Sequence, residues 1–365
     1  MSTKNEGRRS RGRSVFFLLL KAGISVGIVA YLIGQIDGEA FFTMVGEVNV
    51  LWLLPALLVQ ASAIFCNILR WRLLLRGQNL DVPLRHLIGS FLVGRFIGIV
   101  VPGTLGLDAY RAYDIARHAK APAKSLVVIG VEKLIGLFAL GLLVLAVLPG
   151  APHFLPDRVP LELLLIVSAT FVLPVALAFY ILVRPGAVNA LVLRIVPNWL
   201  GLQGKLRSTT QAASAYSGRR GILAGATGFG ICVHLLTALV YLFVLWAVGA
   251  EVTVAYMIFV AVLTGVPTAI PISISGIGVR ELTLTFFLAH VGVPVEQAVL
   301  LGVLRLCVGE SFSLVGGLVF LARGRRYAPQ IRELSAGLRA ADLADDEVSK
   351  EGNLQRVAGP RPVRG

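Results

Sequence analysis

Ser90-Phe-Leu-Val-Gly-Arg95-Phe-Ile-Gly-Ile-Val-Val-Pro102-Gly103-Thr-Leu-Gly106-Leu-Asp108-Ala-Tyr110-Arg111 is apolar enough to enter a membrane, yet it breaks in its middle. Pro102 has no backbone N–H to donate, and Gly103 and Gly106 allow dihedrals that other residues avoid. In lipid, backbone groups freed by such a break survive only against protein or a water-filled cavity. The break sits beside Asp108 and Arg111, which are three apart and share a helix face. A polar pocket at membrane depth is one reading of this stretch, and a surface turn with solvated charges is the other.

The surrounding chain favours a membrane. Of its 365 residues 56% are hydrophobic and only 15% are charged, where a soluble domain carries about a quarter. A soluble enzyme, a disordered chain and a secreted disulfide scaffold are thereby excluded. The net charge of +14 is spread between apolar runs and forms no single patch, so it reads as an orientation signal in a bilayer and not as nucleic-acid binding. Cys66, Cys232 and Cys307 each lie inside an apolar run and offer neither a disulfide framework nor a metal spacing.

Crossing the hydrocarbon core takes roughly 20 apolar residues. Clear candidates are 15–36, 50–69, 124–148, 161–183, 221–248 and 297–322. The expectation is an all-α polytopic integral membrane protein with about six to eight transmembrane helices plus two broken or re-entrant elements. Residues 1–14 form a basic arm, 15–322 the membrane domain, and 323–365 a cytoplasmic tail. Basic loops face the cytoplasm. That places the arm, the stretch 70–86 (Arg70, Arg72, Arg76, Arg85), the segment 184–220 and the start of the tail inside, with both termini cytoplasmic at an inner membrane. Acidic 37–49 and 249–254 lie outside. The broken region 86–112 then enters and leaves on the inner face, and 255–293 on the outer face. Opposed broken elements suggest an inverted repeat of the kind transporters use. Segment 184–220 reads either as an interfacial amphipathic helix or as a solvated loop.

The second broken region reads Thr264-Gly265-Val-Pro267-Thr-Ala-Ile-Pro271-Ile-Ser273-Ile-Ser275-Gly276-Ile-Gly278-Val-Arg280-Glu281. Its serines and helix starts can donate to a phosphate-like group, or the stretch is a kinked helix packed on small residues. Arg95, Glu132, Lys133, His234, Arg305 and Glu310 also fall inside apolar runs, where each charge costs a few kcal/mol unless it meets a partner or a cavity. One hypothesis makes Arg95, Arg111, Arg280 and Arg305 a basic lining for an anionic headgroup, which guanidinium forks suit. Asp108, Glu132, Glu281 and Glu310 would keep it near neutral. Alternatively these charges only pair with one another to hold the bundle. No Walker loop, His–Cys metal spacing or Gly-x-Ser-x-Gly elbow occurs, so no cofactor or metal is expected.

Pro102-Gly-Thr-Leu-Gly-Leu-Asp108-Ala-Tyr-Arg111, then Glu132-Lys133-Leu-Ile-Gly136, resembles the lysylphosphatidylglycerol synthase transmembrane family. So does Pro271-Ile-Ser-Ile-Ser-Gly276-Ile-Gly278-Val-Arg280-Glu281 followed by Leu304-Arg305. Family members typically show two glycines before the first acid and Asp-Arg at the later pair. Here a single Gly106 precedes Leu107-Asp108 and the pair is Glu132-Lys133, which keeps the charge signs but loses one guanidinium fork. The resemblance implies a flippase-like inner-membrane domain that moves or holds a lipid between leaflets; read as a transporter, Arg111, Arg280 and Arg305 engage the headgroup, and Asp108, Glu132 and Glu281 orient them or bind a coupling cation or proton. In bifunctional synthases a soluble aminoacyl-transferase domain is joined to it, and the 44 residues after Leu321 are too few for one. Three function classes follow. The first is a transporter of an anionic or polyprenyl/aminoacyl lipid. The second is a membrane enzyme with Glu132 or Asp108 as acid/base. The third is a subunit recruiting a lipid-modifying or glycosyl-transferring partner through 184–220. Membrane lipids are the expected ligands, and a homo-oligomer is a further expectation.

Overall fold

Asp37 ends the first apolar run. Its side chain accepts hydrogen bonds from the backbone N–H of Glu39 at 2.9 Å and Ala40 at 3.4 Å, so it caps a new helix. In the computed structural model, helix α1 (Ala22–Gly34) and helix α2 (Gly38–Gly46) therefore meet at 91°. The structure describes residues 20, 22–100, 105–154, 161–183, 214–269, 273 and 276–323. All the described elements are helical. After a 3₁₀ turn at Val50–Trp52 come α3 (Leu53–Gly77), α4 (Leu84–Val100), α5 (Leu105–Ala119) and α6 (Pro122–Val147). Next are the short α7 (Ala151–Phe154), α8 (Leu161–Val183), α9 (Arg220–Ala247), α10 (Val254–Ala269), α11 (Val279–Ala289) and α12 (Val295–Arg323).

The count of six to eight spans is wrong. Among the described residues 4 helices are long and apolar enough to cross a membrane: Val50–Gly77, Pro122–Phe154, Arg220–Ala247 and Val295–Ala322. The number rises to 5 if the bent pair α1 and α2 is one span. The apolar runs overcounted for physical reasons. The run 15–36 stops at the Asp37 cap, where α1 and α2 meet at 91°. Each interrupted region divides its apolar residues between two helices of at most 17 residues.

Both interrupted regions are helical hairpins. Helix α5 turns back along α4, with Gly98 beside Leu107 and Gly94 beside Leu107 and Tyr110. Likewise α11 turns back along α10: the Tyr256 hydroxyl donates to the Phe287 carbonyl at 2.6 Å, and Gly276 lies against Thr268. Gly276 (φ +78°) and Gly278 (φ +86°) carry the chain through this reversal in a region that other residues rarely adopt. Helix α9 lies against α3, α6 and α10. Two apolar cores result. One gathers Val144, Leu245, Met257, Val260, Leu284 and Leu301, and the other Ile68, Trp71, Leu74, Leu87, Ile115 and Ile135.

The joint between α3 and α9 is made outside the apolar runs. Tyr216 is fully buried, fills the space beside Gly77, and donates its hydroxyl to the Leu74 carbonyl at 2.8 Å. Arg219 donates to the carbonyls of Arg76 and Gly77, both at 3.0 Å, and so closes the end of α3. The arm 1–14, the tail from 324 and most of 184–220 lie outside the described residues. So do Pro102, Gly103, Pro271 and Ser275.

Candidate functional site

The intramembrane charges fall into two groups by their contacts. The first joins α3, α5 and α6. Glu132, 4% exposed, receives Arg70 from α3 at 3.2 Å and Arg111 from α5 through its other oxygen. Arg111 also lies 3.6 Å from Asp108, one turn earlier on the same helix, and Lys133 reaches Asp108 at 2.6 Å. The same Nη2 of Arg70 that meets Glu132 also donates to Asn67 Oδ1 at 2.8 Å. The Arg111 guanidinium packs over the ring of Trp71 at 4.2 Å and near that of Phe91 at 5.0 Å, so its faces are covered as well. Charges therefore alternate along a chain in which every cation has a carboxylate. Of these residues Lys133 alone has a side chain about half exposed, at 51%.

Small residues make this network possible. Gly136 on α6 and Gly230 on α9 each leave room for the Arg70 guanidinium, which a methyl at either position would meet at 3.5 Å. The ring of His234 hydrogen-bonds the Gly136 carbonyl at 3.1 Å, which makes it a packed residue of the same joint.

The second group gathers residues of α4, α9, α11 and α12. Arg280 donates to Glu281 at 2.8 Å, and the other oxygen of Glu281 accepts the N–H of Gly278 at 2.7 Å, capping α11. Arg95 from α4 donates to the Gly309 carbonyl at 2.7 Å and lies 3.7 Å from Glu310. Glu310, its side chain 46% exposed, accepts from Ser313 at 2.6 Å. Arg305 differs from the others. Its guanidinium lies 5.3 Å from the Tyr241 ring centroid and has no carboxylate at ion-pair distance among the described residues, while its buried Nε lacks a hydrogen-bond partner as those of Arg70, Arg95 and Arg111 do. Arg280, Arg95 and Glu310 are the formal charges acting on it. Three guanidiniums thus face two carboxylates, one carboxylate being loosely held and partly open.

Glycines bring α12 close enough to join the two hairpins at this point. Gly302 lies under Glu281 of α11, Gly309 beside its own helix's Arg305, and Gly316 against the backbone of Leu92 in α4. The three are seven apart on one face.

Of the residues singled out in sequence, Arg95, Arg280, Glu281, Arg305 and Glu310 meet in the second group. Asp108, Arg111, Glu132 and Lys133 meet in the first, so their contacts divide the supposed single lining in two. Ser273 and Gly278 are buried in the second hairpin's reversal and Pro267 lies inside α10. Gly106 is buried in the first turns of α5. Arg70 was assigned to a cytoplasmic loop. The structure instead continues α3 to Gly77 and buries Arg70 against Glu132. Tyr241 carried no signal beyond being a polar aromatic in an apolar run.

A family profile described as the lysylphosphatidylglycerol synthase TM region matches residues 18–308. The chain belongs to that family. The match takes in both hairpins, the whole first charge group and, in the second group, Arg95, Arg280, Glu281 and Arg305, and it stops just before Gly309 and Glu310. What matches is the family's transmembrane region and not a catalytic one, and the chain is a multi-pass helical membrane protein. Among the curated proteins, none matches this chain.

Proposed function

We propose that this lysylphosphatidylglycerol synthase TM-region protein binds a lipid through its anionic headgroup and moves it between leaflets. The receiving groups are Arg305, Arg280 and Arg95. The observation that carries the reading is Arg305: a guanidinium among apolar helices, near the Tyr241 ring, with no carboxylate at ion-pair distance among the described residues. A charge so placed costs a few kcal/mol unless something meets it. A phosphate oxygen pair fits a guanidinium fork and would complete the pairing. The half-exposed Glu310 is the partner an incoming headgroup displaces from Arg95, whereas in the first group every cation already has a carboxylate and the group serves to hold α3, α5 and α6 together.

The chain has no nucleotide-binding loop, so movement runs down a gradient or is coupled to an ion. Asp108 with its partly exposed Lys133 is the carboxylate best placed for such coupling. The basic arm and basic loops favour cytoplasmic termini.

The test is mass spectrometry of lipids retained by the purified full chain, paired with scrambling of a fluorescent phosphatidylglycerol in liposomes. Arg305→Ala should lose retained anionic lipid and slow scrambling at least tenfold, since a charge-assisted hydrogen bond contributes about 1.5–3 kcal/mol. Arg305→Lys should recover only part. Wild-type retention and scrambling in folded Arg305→Ala would remove the site.

A further inference from the structure

Two of the three cysteines, 166 positions apart in sequence, come together where α3 packs on α9: the Cys66 and Cys232 sulfurs are 3.8 Å apart. Both are half-buried free thiols, and the third, Cys307, is exposed elsewhere. We propose that Cys66 and Cys232 form a dithiol site that bilayer-soluble two-electron oxidants of the quinone class close to a disulfide, locking α3 to α9.

The geometry is near what closure needs. A disulfide has an S–S distance of about 2.05 Å, and sulfurs already in contact reach it through side-chain rotation when their helices are this close. The helices are close within two turns of the pair. Gly225 of α9 lies against Leu73, and Gly230 against Arg70, both side chains of α3. Neither thiol is sealed in the core, so an oxidant dissolved in lipid can reach them. In the reaction two S–H bonds break and one S–S bond forms. The electron pair and both protons pass to the quinone, which leaves as the hydroquinone.

Position gives the bond its consequence. Cys66 is one turn before Arg70, and Cys232 lies seven residues after Gly225, on the face of α9 that packs on α3. A covalent tie there fixes the α3–α9 spacing at the level where Arg70 crosses to Glu132. The lock does not depend on which lipid the protein carries, or on whether it carries one.

The experiment uses the full chain in nanodiscs of phosphatidylethanolamine and phosphatidylglycerol, treated with decyl-ubiquinone. The sample is quenched in acid and denatured, free thiols are blocked with N-ethylmaleimide, the protein is reduced, and newly freed thiols are labelled with iodoacetamide for peptide mass spectrometry. Cys66 and Cys232 should carry the second label in equal amounts, while Cys307 carries the first. In Cys66→Ser, Cys232 should carry the first label, and in Cys232→Ser the same should hold for Cys66. The thermal unfolding midpoint should rise on oxidation in the wild type and return with dithiothreitol, and neither serine variant should show the shift. First-label chemistry at both cysteines after quinone treatment, second label at Cys232 without Cys66, or an unmoved midpoint in the oxidised wild type would each overturn the proposal.

Discussion

Replacing Glu132 by Gln takes one negative charge from a place where three cations share two carboxylates. Glu132 is 4% exposed and holds Arg70 at 3.2 Å and Arg111 through its second oxygen. In the variant a neutral amide faces both guanidiniums, and Asp108 is the one carboxylate left for Arg111 and Lys133. Removing one partner of a buried pair costs about 3–5 kcal/mol, because the other charge stays buried without compensation. Partial support remains: Asn67 holds Arg70 at 2.8 Å and Asp108 lies 3.6 Å from Arg111. That favours the low end, about 3 kcal/mol, or roughly a hundredfold in the folded-to-unfolded ratio. Thermal unfolding followed by tryptophan emission suits the test, since the Trp71 ring lies 4.2 Å from the Arg111 guanidinium and reports on this joint. Glu132→Gln should lower the midpoint, and adding Arg70→Gln should restore part of it by removing the stranded charge. A wild-type midpoint in Glu132→Gln, or losses in the double variant that simply add, would refute the network.

Gly316→Ala drives a methyl into the Leu92 carbonyl oxygen, so α4 and α12 must part. The cost is about 1–3 kcal/mol, read as a lower unfolding midpoint; an unchanged midpoint contradicts the close approach. Glu281→Gln keeps an acceptor for the Gly278 N–H, whereas Glu281→Ala removes the cap and strands Arg280. The alanine variant should therefore unfold at the lower temperature by about 1 kcal/mol or more, and equal midpoints would deny the cap. Tyr216→Phe loses the hydrogen bond to the Leu74 carbonyl, about 1 kcal/mol. Burial pushes the Tyr216 phenol up, so the unfolded chain loses that proton first. Its stabilisation is present below about pH 10 and fades as pH rises beyond it. Midpoints measured across that range should fall less steeply in the phenylalanine variant.

The reversal of the second hairpin was legible at Gly276 and Gly278, whose positive φ carries it, whereas Pro267 lies inside α10. The Asp108–Arg111 contact was legible because it is local, three residues along one helix. Span number was not legible. Hydropathy measures whether a run prefers lipid, but not where its helix stops, and the stop after Gly34 depends on a cap by Asp37 in what reads as loop. Arg70 was misplaced for a related reason: it follows an apolar run, and charges there usually mark its end. Apolar Ile68, Trp71, Leu74 and Leu75 around it were the signal that the helix continues inward. The Cys66–Cys232 contact joins residues that no local pattern connects. The glycines at 302, 309 and 316 were readable as a period of seven, although what they approach, Glu281 and the Leu92 backbone, comes from other helices.

The two charge groups hold the same formal balance, three cations against two carboxylates, and differ in how it is distributed. In the first, each cation touches a carboxylate and Arg111 is covered by aromatic rings, so an added anion would have to break an existing contact. In the second, Glu281 is occupied by Arg280 and by the cap of α11, and Glu310 lies at 3.7 Å from Arg95 with nearly half its side chain open. Arg305 is left with an aromatic face and an unpartnered Nε. Interior guanidiniums are costly in lipid, and the fold could have lowered that cost by placing Glu310 one turn from Arg305. Instead it lies five residues on, rotated away and turned towards α4. The same residue spacing that denies Arg305 its intrahelical partner leaves it, among the described residues, without a carboxylate at the meeting point of both hairpins. On the proposed function, that is where an arriving anion gains most and displaces least.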